Sequence, residues 1–146
     1  MNIKINWLAI LVSTLAGMTI GFLFYGFLFL EAWQVAVGLA TPDNVNFTKY
    51  GNPIILDPVT PMIINTLLMV AYGVFMTWLT GQTGRTSAAG GASLGALIGL
   101  LIAASSAVGN MFAVEPTMLS VIDGAYHLVL FTVIGAIVGG WRKRRA

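Results

Sequence analysis

Four long apolar stretches, parted by short polar ones, set the plan of this chain. Lys4 is followed by 26 uncharged residues before Glu31, Asp57 by 27 before Arg85, and Arg85 by 29 before Glu115. Glu115 to Arg142 encloses 26 more, broken only by Asp123 when His127 is taken as neutral. A hydrocarbon core of ~30 Å needs ~20 helical residues at ~1.5 Å rise. Each run holds one span and none holds two. The pattern predicts an all-α membrane protein: a four-helix transmembrane bundle, one domain, with spans over about 6–30, 60–80, 87–112 and 118–141. The runs lack the dyad alternation of an outer-membrane barrel.

Local signals refine the ends. The first apolar run continues through Phe22-Leu23-Phe24-Tyr25-Gly26-Phe27-Leu28-Phe29-Leu30. A signal-peptide core stops at ~7–15 residues, so an uncleaved span is expected despite the cleavage-like Thr14-Leu15-Ala16. Residues 31–59 form one long loop with turn chemistry at Thr41-Pro42-Asp43-Asn44, Gly51-Asn52-Pro53 and Asp57-Pro58. Residues 33–39 suit a short interfacial helix. Asn46-Phe47-Thr48 matches the glycosylation sequon, a pattern common by chance. Thr60-Pro61 reads as the cap and first residue of the second span. Gly81-Gln82-Thr83-Gly84-Arg85-Thr86 is a polar turn that lacks the strand and lysine of a phosphate loop.

Composition narrows the class. Only 8% of the 146 residues are charged, against a usual ~25%, and 58% are hydrophobic. Mean hydropathy is +0.88. A small soluble domain needs a charged surface, so a soluble monomer is excluded. There is no cysteine, hence no disulfide framework, thiolate site or cysteine nucleophile. The basic balance comes mostly from the last five residues and implies no nucleic-acid partner.

Charge position sets the expected orientation. With four spans both termini share a side, which holds Lys4, Arg85, Arg142, Lys143, Arg144 and Arg145, while the other side holds only Lys49. By the positive-inside rule both termini are cytoplasmic and the long loop is extracytoplasmic. The basic tail reads as a topology determinant, with Trp141 as its anchor and headgroup binding as the alternative. Trp7 and Trp33 suit the two interfaces.

Small residues mark the packing faces. Ser87, Gly91, Gly95, Gly99, Ala103 and Ala107 recur every four residues on the third span. Ser13, Gly17 and Gly21, then Gly73, Thr77 and Gly81, then Gly135 and Gly139 form shorter stripes on the other three. Such stripes let backbones approach closely. The main expectation is packing within the chain. The sharper one is a homo-oligomer or another membrane-protein partner held by one stripe, beyond the lipid bilayer itself.

Chemistry concentrates on the fourth span. Asp123 and His127 stand at i, i+4 and share a face. Counted from Thr117, they lie ~9 Å and ~15 Å deep. An ionised carboxylate there costs ~2.5–3.5 kcal/mol on the insertion scale and calls for a partner or a water-filled cavity. Tyr25, Glu31, Asn65, Asn110 and Tyr126 fall in the same half. If all converge they make a polar chamber for a small ligand, ion or proton. The competing expectation is interhelical hydrogen bonding that only fixes packing, in a structural or accessory subunit. No enzyme is expected. One histidine makes no multi-histidine metal site, and Ser105, Ser106, His127 and Asp123 show no recognisable triad spacing. No cofactor or metal is implied.

The opening Asn6-Trp7-Leu8-Ala9, the run from Gly21 to Phe29 and the following Trp33 resemble a known family. These are the small bacterial integral membrane proteins grouped as domain of unknown function 1761. The family pattern has an N-terminal Asn-Trp, a Gly-x-x-Trp-Tyr-like segment ending in Phe, and a Trp soon after. Phe24 stands where a Trp is usual. The resemblance implies a bacterial inner-membrane location and no particular activity.

Overall fold

A computed structural model describes residues 5–42 and 46–141. Lys4, Asp43, Asn44 and the tail Arg142-Lys143-Arg144-Arg145, used above for turns and sidedness, lie outside the described residues. The described chain is α1 (Trp7–Leu23), a π-helical turn (Phe24–Leu28), α2 (Leu30–Ala36), β1 (Leu39–Ala40), β2 (Phe47–Lys49), β3 (Asn52–Ile54), α3 (Val59–Gln82), α4 (Ala88–Phe112) and α5 (Thr117–Gly140). Four helices are long and apolar enough to cross a membrane, the first including the π-turn. We call the end next to residues 29–58 the loop side and the opposite end the terminal side.

The first apolar run is not one uninterrupted α-helix to Leu30. The Phe29 N–H reaches the Phe24 carbonyl at 2.9 Å, a bond that spans five residues. One extra residue per turn rotates the aromatic side chains that follow. The chain then reverses into α2, which packs back on α5. At the other end Asn6 caps α1 by accepting from the Leu8 N–H at 3.2 Å. Its amide also donates to the Trp141 carbonyl at 2.8 Å, tying the start of α1 to the end of α5.

Strands were not expected in the long loop. β1, β2 and β3 form an antiparallel sheet in that order, with Lys49 opposite Asn52. Tyr50 and Gly51 between them have φ of 50° and 80°. Positive φ at both central residues suits the twist of a two-residue hairpin.

The second span begins before Thr60-Pro61. The Asp57 carboxylate accepts from the Val59 N–H at 2.9 Å and the Thr60 N–H at 3.2 Å, so Asp57 covers the free amides of the first turn. Hydrogen bonding from the Thr60 hydroxyl, then from these amides, holds its pKa below the ordinary carboxylate value of 3.8. A depressed carboxylate stabilises the fold above its unfolded pKa, and that contribution goes as pH falls through the folded pKa. The Val59 and Thr60 amide NMR shifts should therefore titrate together with a midpoint below 3.8. A midpoint above that value contradicts the cap.

Helix α5 is the one span that touches all three others. Phe131, Leu130, Ile134 and Val138 from α5 bury with Met69 and Met76 from α3. The α3–α1 seam closes where Gly73 meets Ser13 and Ile10. Helix α4 packs chiefly on α5. The stripe on α4 lies in that seam. A Cβ at Gly91 would strike the Gly135 carbonyl, one at Gly95 the Phe131 carbonyl, and one at Gly99 the His127 carbonyl at 2.5 Å. Gly139 faces the Ser87 carbonyl and Gly124 faces Ala103 in the same register. Three α5 carbonyls thus meet three α4 glycines, an arrangement suited to Cα–H···O contacts.

Candidate functional site on the loop side of α5

Asp123 and His127 are both half-buried on α5. No hydrogen bond joins them. The partner of Asp123 is Tyr25, whose hydroxyl donates to Oδ1 at 2.8 Å. The π-turn delivers that hydroxyl. Aromatic rings surround the pair. Tyr25 lies edge-on to Tyr126 at 5.1 Å and to Trp33 of α2 at 5.8 Å, and Phe24 lies edge-on to Tyr126 at 5.9 Å. The imidazole of His127 sits 5.1 Å from the Tyr126 ring. Its Nδ1 is buried with no hydrogen-bond partner. Such a group costs about 1–3 kcal/mol to leave unpaired.

The other polar residues sit on different seams. Asn65 of α3 donates to the Met18 sulfur on α1 at 3.4 Å. Asn110 of α4 donates to the Ser120 hydroxyl at 3.2 Å, near the α4–α5 turn. Glu31 is exposed in the first turn of α2. Tyr25, Asp123, Tyr126 and His127 come together; neither asparagine is hydrogen-bonded to any of them. Gly17 and Gly21 lie elsewhere, against Met69 with Leu130 and against Tyr126.

The spacing of α5 explains why this cluster is uncovered. Ile134 and Val138 lie three turns beyond Asp123 and His127 on the same sector. There α3 covers them with Met69 and Met76. On the loop side α3 no longer packs: residues 59–64 and 66–68 are exposed, Asn65 is half-buried, and burial begins at Met69. Tyr72 meets Phe131 at 4.8 Å between ring centroids. Counting back in that register places residues 64–68 of α3 level with Asp123 and His127. Sequence reading missed this bareness, and also Phe24 and Trp33 as walls of the site. The aromatic run around Tyr25 was the available signal. Among the described residues, no three His, Cys, Asp or Glu side chains gather as a metal-holding group.

A helical protein with four segments long and apolar enough to cross a membrane is the class this fold defines. Residues 8–139 match the model of a family described as protein of unknown function (DUF1761), and the chain belongs to that family. No curated protein and no solved structure matches it.

Proposed function

We propose that this protein binds a small ligand or ion at Asp123, from the extracytoplasmic side of a bacterial inner membrane. The supporting observation is the Tyr25–Asp123 hydrogen bond, set where α3 leaves α5 bare. A carboxylate at that depth is costly to keep and marks a functional site by default. The outward sense rests on the positive-inside rule and places the loop side outside. The accessory-subunit reading drew on the α4 stripe, and within this chain α5 occupies that stripe.

The test is thermal unfolding in nanodiscs with sodium, potassium and small ammonium salts as probes. Binding to the folded state raises the midpoint by mass action. At least one probe should stabilise the wild type by several degrees, with the shift absent in Asp123→Asn. If no probe separates the two proteins, the reading fails.

A further inference from the structure

We infer that the ligand is a primary ammonium carrying an apolar body, such as a small aralkyl amine; this rests on the binding reading above. The argument begins with unmet acceptors. An ionised carboxylate can accept about four hydrogen bonds. Among the described residues Asp123 receives one, from Tyr25 to Oδ1. The neutral imidazole has one accepting nitrogen. His127 makes no hydrogen bond among the described residues, and its Nδ1 is buried. The Cβ atoms of an i, i+4 pair lie about 5–6 Å apart. A single –NH₃⁺ between the two side chains donates to both and neutralises the carboxylate.

The surroundings select the rest of the ligand. Tyr25, Tyr126, Phe24 and Trp33 put aromatic rings beside the carboxylate. Ring faces attract cations and rings pack on apolar groups. A hydrated alkali ion uses neither. A divalent metal prefers six or more oxygen ligands, and the cluster offers one carboxylate. A quaternary ammonium fits the rings and brings no N–H for Asp123 and His127. The exposed 59–68 stretch of α3 leaves the sector open toward the outer leaflet and the loop side, a route suited to an amphiphilic amine.

The experiment titrates nanodisc-embedded protein with benzylammonium, benzyltrimethylammonium and sodium, reading tryptophan fluorescence and thermal midpoint together. Trp33 borders the site and supplies the signal. Benzylammonium should bind at least about tenfold tighter than benzyltrimethylammonium, the equivalent of about 1.4 kcal/mol for lost hydrogen bonds. Asp123→Asn should weaken it by about 100-fold, and His127→Phe by about tenfold with the quaternary probe unaffected. The Asn side chain still accepts from Tyr25, and a far-UV dichroism spectrum checks the fold of each variant. Equal binding of the two ammonium probes overturns the primary-amine assignment. Sodium binding without amine binding overturns it too and leaves the ion-site reading standing. No binding of any probe ends both.

Discussion

Gly95→Leu is expected to abolish the folded protein. Position 95 faces the Phe131 carbonyl, with the Thr132 nitrogen 3.1 Å from where a Cβ would stand. Both are backbone atoms of a neighbouring helix and cannot rotate aside. Even alanine there forces α4 off α5 along a seam of glycines at 91, 95 and 99. Overpacking costs typically 1–3 kcal/mol when side chains can yield. With rigid backbone opposite, Gly95→Ala should lose about 3 kcal/mol or more. The internal control is Gly109 on the same helix, where a Cβ meets nothing within 4 Å. Gly109→Ala should be neutral or more stable by up to about 1 kcal/mol. Denaturant titration in mixed micelles, followed by dichroism, measures both. Equal effects at the two positions would show that α4 does not pack on α5 through this face.

Phe131→Ala should give the other large loss, about 3 kcal/mol. The side chain is 1% exposed and lies against Tyr72. In a bilayer the transfer contribution shrinks, because lipid tails are as apolar as the protein interior. The cavity remains, with lost dispersion contacts to α3 and to the α5 core. Phe27, 73% exposed, is the comparison. Phe27→Ala should change stability by less than about 0.5 kcal/mol in the same titration. If Phe27→Ala costs as much as Phe131→Ala, the arrangement of α3 against α5 is wrong.

The spans were legible because lipid forbids stray charges, so each gap between charges measured one crossing. Helix ends were less so. Asp57 outcompetes Thr60 as a cap because its carboxylate reaches two amides at once. The sheet left no periodic trace, since its strands are two or three residues long. Of the site, the Asp123 and His127 face could be read from i, i+4 spacing alone. The Tyr25 contact could not, because it depends on a π-turn that shifts the register of the first span. The two asparagines were grouped by depth, and depth says nothing of the seam on which a side chain points. The bare half of α3 was hidden for the same reason: lipid-facing and protein-facing residues are equally apolar in a membrane.

Helix α5 comes last in the chain, and its place in the fold bears on biogenesis. A growing chain emerges N-terminus first. Until α5 is inserted, α1 and α3 have only their shared seam near Ser13 and Gly73, and α4 has little to rest on. Each earlier segment must therefore hold its own place in lipid before assembly, as the uniformly apolar surfaces of α1, α3 and α4 allow. Tyr25 waits for most of synthesis without its carboxylate. The site is completed in the final step of insertion, so a ribosome-stalled or truncated chain would retain three spans and none of the α5 chemistry.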